Sequence, residues 1–213
     1  MRLSLVSTVH AEKGRASVLE LHAILERLRP EVIFLEVPAD GLDQYLDAID
    51  RQTLESQAVL RYRQSNHVEL VPVDLPTPSL DFFHDNERLF TRIEVESRDY
   101  CRLVDWHGSY VRHYGFAYLN SDHCSKLNAE IDVETRSTIE RIGDPELTAL
   151  FDLWNSTIRR RDVEMITNIR QYCAVSTLER GVFLVGAAHR QSLIELWNEL
   201  SPNDSNTMEL DVS

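Results

Sequence analysis

The sequence predicts an α/β fold with a mostly parallel sheet, crossover helices and a large all-helical insertion before the last core strand. Four short apolar runs rich in β-branched residues are typical of buried strands and lie at residues 3–7, 32–37, 68–73 and 182–185. Helical patterns separate the first three runs, which implies parallel pairing. The carboxyl ends of parallel strands meet at one edge of a sheet, so we expect any site to lie there.

The first crossover helix is predicted over residues 17–29. Ser17 is a suitable N-cap, Glu20 follows three residues later, and Pro30 ends the pattern. The apolar residues keep helical spacing, namely Val18, Leu21, Leu25 and Leu28. The second crossover is predicted as one helix over residues 42–60, from the apolar positions Leu42, Tyr45, Leu46, Ile49 and Leu54.

Helical periodicity then dominates the chain, and the insertion is predicted at about residues 79–176, packed over one edge of the sheet. A loop is expected at residues 120–125, between its two helical parts. A last amphipathic helix is predicted over residues 190–200. We expect residues 1–200 to form a single α/β domain and residues 201–213 to form a polar, frayed C-terminal tail.

Composition narrows the classes of partner. The chain has 213 residues, of which 35 are acidic and 22 basic, giving a net charge of −13. This charge argues against nucleic-acid and anionic-membrane partners and favours small or cationic ligands. A small-molecule or peptide substrate is the expected partner. The three cysteines are far apart, and no signal-peptide or membrane-spanning pattern is found, so a cytoplasmic location is expected. The oligomeric state stays open, with a homodimer as one alternative.

Ionisable residues follow all four predicted strands. His10 comes after the first strand, Glu36 and Asp74 end the second and third, and His189 follows the fourth. Each alone has a structural interpretation, as a loop histidine or a helix cap. Together, imidazoles and carboxylates at one edge can hold a divalent metal or act as paired general acid and base. Each histidine is also preceded by a small residue three positions earlier, Ser7 or Gly186, which permits a tight turn.

Five segments of the sequence resemble a known protein family. The segments LSLVSTVH, VIFLEV, ELVPVDLP, RRRDVEMITNI and VFLVGAAHRQSLIELW, in this order, look like the TraB/TIKI family, within the wider group of erythromycin esterase-like and ChaN-like proteins. Two Gly-x-x-His motifs and acidic strand residues mark that group. By this resemblance His10 matches the histidine of the first motif, Glu36 and Asp74 match the strand carboxylates, and Gly186 with His189 forms the second motif.

The helix before the last strand carries a further similarity. Arg161, Asp162 and Met165 are similar to an Arg-Asn-x-x-Met signature that faces the site. Two positions depart from the family pattern. Ser7 stands where the first motif has glycine, and Asp162 stands where the signature has asparagine, which changes the charge near any ligand.

The resemblance implies a peptidase-like or esterase-like hydrolase, either dependent on a divalent metal (Mn, Co or Zn) or without a cofactor. The residues expected to act in catalysis are His10, Glu36, His189 and Arg161, and those expected to hold a metal are His10, Glu36 and His189. Asp74, Asp162 and Gly186 are expected to contact the substrate. The alternative is a non-catalytic ligand-binding or effector domain with the same fold, including a haem binder.

Overall fold

The computed structural model describes residues 1–47, 52–200 and 209–211, which form a mixed α/β fold with a parallel sheet. Every strand pairing is parallel, and the strand order is β3-β2-β4-β1-β5. The predicted fold class is therefore confirmed. The strands are β1 (Arg2–Thr8), β2 (Val32–Pro38), β3 (Glu69–Asp74), β4 (Arg180–Gly186) and β5 (Glu209–Asp211).

Eight α-helices connect these strands within the described residues. They are α1 (Val18–Leu28), α2 (Leu42–Asp47), α3 (Leu54–Arg63), α4 (Leu80–Glu96), α5 (Arg98–Leu119), α6 (Asp122–Ile142), α7 (Pro145–Val175) and α8 (Arg190–Leu200). The predicted start of α1 is confirmed, because the Ser17 hydroxyl accepts a hydrogen bond from the Glu20 backbone N–H. Among the helices so described, none is both long and apolar enough to cross a membrane.

Both faces of the sheet are covered by helices. In β2, Ile33 and Leu35 join one buried cluster while Val32 and Phe34 join another, as the two-residue period of a strand requires. The first cluster is completed by side chains of α1, α3, α5 and α6, and the second by side chains of α7 and α8. Because both faces of the sheet are buried, the sequences of its strands are nearly continuous apolar runs.

The second crossover is not the single helix that the apolar spacing predicted. Its first part, α2, is described as far as Asp47, and a new helix, α3, begins at Leu54. Thr53 is the N-cap of α3, since its hydroxyl accepts a hydrogen bond from the Ser56 backbone N–H. Ile49, part of the predicted helix, lies outside the described residues. The separate start at Thr53 determines where Glu55 lies.

The insertion consists of α4 to α7 and has its own small core, formed by Leu89, Ile93, Tyr100, Ile139, Leu147 and Phe151. It does not lie over one edge of the sheet only. The second half of α5 and the start of α6 pack on one face, and the second half of α7 packs on the other. The loop predicted at residues 120–125 is also shorter, because Ser121 caps α6, which begins at Asp122.

The outer edge of β1 is paired along most of its length. Residues Arg2 to Ser4 pair with β5, so residues 209–211 of the predicted frayed tail are in fact a strand. Further along β1, the Asn120 side-chain oxygen accepts from Ser7 N at 2.7 Å, and its amide donates to Ser7 O at 3.2 Å. Asn120 therefore takes the place of a paired strand residue.

Candidate functional site

A buried ion network occupies the carboxyl edge of β2, β3 and β4. Arg161, from α7, lies between the strand-end carboxylates Glu36 and Asp74. Its Nη2 is 2.7 Å from Glu36 Oε1 and 2.6 Å from Asp74 Oδ2, and its Nε is 3.1 Å from each Asp74 oxygen. The predicted residues on these elements thus do come together. This geometry is the bidentate pairing that favours arginine over lysine.

The second part of the network is centred on His189, in the short 3₁₀ turn that follows β4. Its Nδ1 is 2.5 Å from Asp162 Oδ1, and its Nε2 is 3.3 Å from Glu36 Oε1. The Gly186 backbone N–H donates to Glu36 Oε2 at 2.7 Å. Asp162 is only 1% exposed, so it can act on a ligand only through His189.

The charges in this network stabilise one another. Burial alone would raise the pKa of Glu36, but hydrogen bonds from His189 and Gly186 and the charge of Arg161 lower this pKa to about 2. Burial alone would lower the pKa of His189, but hydrogen bonds to Asp162 and Glu36 raise this pKa to about 9. At neutral pH His189 is therefore an imidazolium and Glu36 a carboxylate. The carboxylate of Asp162 supplies one of the two negative charges that hold the imidazolium.

His10 stands apart from this network and has a different partner. Its Nδ1 lies 3.1 Å from Glu55 Oε1, and the same oxygen accepts from the Thr8 hydroxyl at 2.7 Å. The His10 side chain is 71% exposed, whereas that of Glu55 is 7% exposed. The Glu55 hydrogen bond comes first among the factors that raise the pKa of His10, against the lowering effect of burial.

Glu55 is the site residue that the sequence reasoning missed. Reading residues 42–60 as one helix placed Glu55 in mid-helix, where a glutamate is ordinarily solvated. The signal that could have located it is Thr53, a good N-cap residue followed two positions later by an acidic side chain. With the helix start at Leu54, Glu55 lies in the first turn of α3.

Two pockets flank the Arg161–Glu36 ion pair. The smaller, of about 110 Å³, is lined by both His10 and Glu36, together with Leu35, Val37, Tyr45, Thr53, Glu55 and Leu184. The larger pocket, of about 420 Å³, is lined by Arg161, by other residues of α7 and by residues before and at the start of α4. The larger volume lies within the range of small-molecule sites, whereas the smaller one accepts only part of a ligand.

The residues expected to hold a divalent metal do not fit that role in this geometry. Both Glu36 oxygens already accept hydrogen bonds, from Arg161 and Gly186, and His189 is cationic, with its two nitrogens directed to carboxylates. An imidazole that binds a metal must be neutral and a carboxylate that binds one must be ionised, so a metal here would have to displace the His189 proton and the hydrogen bonds from Arg161 and Gly186. Within the described ranges, no group of three or more His, Cys, Asp and Glu side chains is arranged to hold an ion.

The small residue before each histidine is not explained by a special turn. Gly186 has φ −55° and ψ 138°, a conformation open to any residue. A Cβ at this position would lie 3.4 Å from Glu36 Oε2, an ordinary van der Waals contact, so the space beside the carboxylate accepts a methyl group. Three residues before His10, the Ser7 hydroxyl is 3.4 Å from Arg190 Nη1, a contact that a glycine would lack.

Comparisons of this chain with protein-family models, with curated proteins and with solved structures found no match. The resemblance to the TraB/TIKI family therefore stays a prediction, carried by the motif residues alone.

Proposed function

We propose that this protein is a hydrolase that cleaves an ester or peptide bond with a water molecule activated by His10. One observation carries the proposal: an exposed imidazole, held at Nδ1 by a buried carboxylate, lines the same pocket as Glu36. Among the described residues His10 Nε2 has no hydrogen-bond partner, so it is available to a water molecule. This is the arrangement that a general base requires.

The proposed reaction begins when His10 Nε2 takes a proton from water. The resulting hydroxide attacks the carbonyl carbon, and a tetrahedral oxyanion forms. The C–O or C–N bond then breaks, and the proton on His10 passes to the leaving alkoxide or amine. The products are a carboxylic acid and an alcohol or amine, so atoms and charge balance.

The ion network contributes a fixed arrangement of charges rather than proton transfer. Glu36, with a pKa of about 2, is too weak a base to activate water at neutral pH. The two cations of the network, Arg161 and His189, are 19% and 7% exposed and lie in an environment that screens charge poorly. These two cations are paired with three carboxylates, Glu36, Asp74 and Asp162, so they hold this edge of the sheet in a fixed arrangement and carry no excess positive charge. The pocket on the Arg161 side shares no lining residue with the pocket that contains His10.

The test is a hydrolysis assay with short p-nitrophenyl esters and aminoacyl p-nitroanilides. We expect His10→Gln to lower kcat/KM by about 10²-fold or more, the usual contribution of a general base. His84→Gln is the matched control, because His84 is exposed and has no hydrogen bond or ion pair to the described residues. Equal rates for wild type and His10→Gln, with both proteins folded by circular dichroism, would overturn the proposal.

The same assay addresses the cofactor. Rates are compared after EDTA treatment and after separate addition of Mn²⁺, Co²⁺ or Zn²⁺, and we expect no change, because the donor geometry does not fit a metal. A reaction that requires one of these ions would replace the general-base mechanism with the metal-dependent one.

A second candidate function, ligand binding without turnover, is favoured by one observation. Glu36, Asp74, Asp162, Arg161 and His189 pair chiefly with one another, as in a network that serves the fold. Absence of turnover in the whole substrate panel would support this candidate. Two pockets, of about 480 and 420 Å³, are not lined by His, Cys, Met or Tyr, the side chains that could serve as axial ligands of a haem. An absorbance spectrum of the purified protein tests haem binding directly.

A further inference from the structure

We infer that Glu55 is the positioning residue of His10 and selects the tautomer in which Nδ1 carries the proton. The catalytic part of this inference rests on the proposed function, whereas the tautomer and the charge of His10 do not depend on it. Three contacts around the beginning of α3 join Glu55, His10, Thr8 and Leu54.

Contacts other than the one with His10 hold the carboxylate of Glu55 in position. Its Oε1 accepts from the Thr8 hydroxyl at 2.7 Å, and Thr8 is the last residue of β1. Glu55 also lies in the first turn of α3, where the helix dipole favours negative charge. The sheet and the helix thus define the position of one oxygen, and His10 Nδ1 meets that oxygen at 3.1 Å.

The backbone of the His10 loop is attached to the same helix. The Leu54 N–H donates to the His10 carbonyl at 2.8 Å, so the main chain and the side chain of His10 are both bound by the first turn of α3. Two attachments restrict the ring far more than one exposed hydrogen bond would. The ring can therefore be held in one orientation although most of its surface faces solvent.

The hydrogen-bonding chemistry determines the tautomer. An ionised carboxylate only accepts hydrogen bonds, so His10 must donate from Nδ1, and the lone pair of its neutral form lies on Nε2. When Nε2 takes a proton, the buried carboxylate stabilises the imidazolium, as buried carboxylates do in catalytic triads. The other charges that act on His10 are Glu36 and Arg161, which have opposite effects on its pKa.

The two oxygens of the Glu55 carboxylate differ in their contacts. Glu55 Oε2 is buried and has no hydrogen-bond partner within the described part of the chain, as is also the case for Asp162 Oδ2 beside His189. The contacts with Thr8 and His10 are both made at Oε1.

The test is ¹⁵N NMR titration of the His10 ring in wild type, Glu55→Gln and Glu55→Asp. In wild type we expect a pKa above 6.5 and a neutral form protonated at Nδ1. Glu55→Gln should bring the pKa back toward 6.5 and allow the Nε2–H tautomer, whereas Glu55→Asp should retain part of the wild-type behaviour. Glu130→Gln, which removes an exposed carboxylate from α6, is the charge control and should change neither quantity.

An Nε2–H tautomer of His10 in the wild-type protein would overturn the inference. This measurement needs no variant, so it decides the question even if Glu55→Gln does not fold. An unchanged His10 pKa in folded Glu55→Gln would overturn the inference equally. In the hydrolysis assay, Glu55→Gln should lower kcat by about tenfold or more with little change in KM, and shift the pH–rate midpoint with the NMR pKa. If no protein hydrolyses any substrate, the proposed function fails while the titration still decides the role of Glu55.

Discussion

Arg161 and Asp74 form a bidentate ion pair, in which Nε and Nη2 of the guanidinium both contact the carboxylate. The same Nη2 also binds Glu36, so one side chain of α7 joins the ends of two neighbouring strands. The Asp74 and Glu36 side chains are only 5% and 12% exposed. Without Arg161, two poorly solvated carboxylates would face each other.

We therefore predict that Arg161→Met lowers the free energy of unfolding by about 3–5 kcal/mol, as expected when one partner of a buried ion pair is removed. The matched control is Arg160→Met. Arg160 is adjacent in sequence but exposed, and no ion pair links it to the described residues, so its loss should change stability by about 0.5 kcal/mol or less. Urea denaturation measures both values, and equal values would contradict the structural role assigned to Arg161.

The raised pKa of His189 predicts a dependence of stability on pH. Its folded-state pKa is about 9, against 6.5 in the unfolded chain, so the stabilisation is complete below pH 6.5 and is lost as pH rises through 9. The shift corresponds to roughly 3 kcal/mol, shared with Glu36 because the two groups titrate together. His189→Gln should accordingly be less stable than wild type at pH 6, and this difference should shrink toward pH 10.

The measurement is urea denaturation of both proteins in steps from pH 6 to pH 10. His84→Gln again serves as the control, since His84 is solvent-exposed and its loss should give no pH-dependent difference. Asp162→Asn should reproduce much of the His189→Gln behaviour, because it removes the carboxylate at His189 Nδ1. A difference that stays constant over this pH range would show that His189 is not protonated in the native state.

Much of the site could be predicted because strand ends are visible in sequence. Glu36, Asp74 and His189 each follow an apolar run, and parallel pairing brings the ends of such runs to one edge. The strand order could not be predicted. The apolar pattern contains no information on which strands become neighbours, and β4 lies between β1 and β2 although the whole insertion separates it from both.

The roles within the site were harder to predict than the positions. His10 and His189 seemed equivalent in sequence, yet one is exposed beside Glu55 and the other is buried between Asp162 and Glu36. Those partners come from elements distant along the chain, and their side-chain contacts depend on packing. Glu55 in particular depends on a helix start at Thr53 that the apolar spacing concealed.

Gly186 provides a test of why the motif needs a small residue. Its backbone conformation suits any residue, and an added Cβ would meet Glu36 Oε2 at 3.4 Å and His189 Cδ2 at 3.7 Å, both ordinary contacts. We predict that Gly186→Ala changes the free energy of unfolding by less than about 1 kcal/mol. Gly186→Val, with two further methyl groups near the carboxylate, should destabilise by about 1–3 kcal/mol more. A large loss in Gly186→Ala, measured by urea denaturation, would mean that even a methyl group displaces Glu36.

Gly115 should be far less tolerant, because it breaks α5 with φ 56° and ψ −135°. An added Cβ would lie 2.2 Å from Glu20 Oε2, the oxygen that accepts the Phe116 N–H at the break. Since both the backbone and the contact oppose a side chain, we predict that Gly115→Ala lowers the free energy of unfolding by more than about 2 kcal/mol. Gly108→Ala, in regular helix with only Arg112 Nη1 within 3.6 Å, should instead be neutral or stabilise by up to about 1 kcal/mol. Thermal and urea unfolding of the two variants should therefore move in different directions, and a matching loss in both would mean that the break at Gly115 is not required.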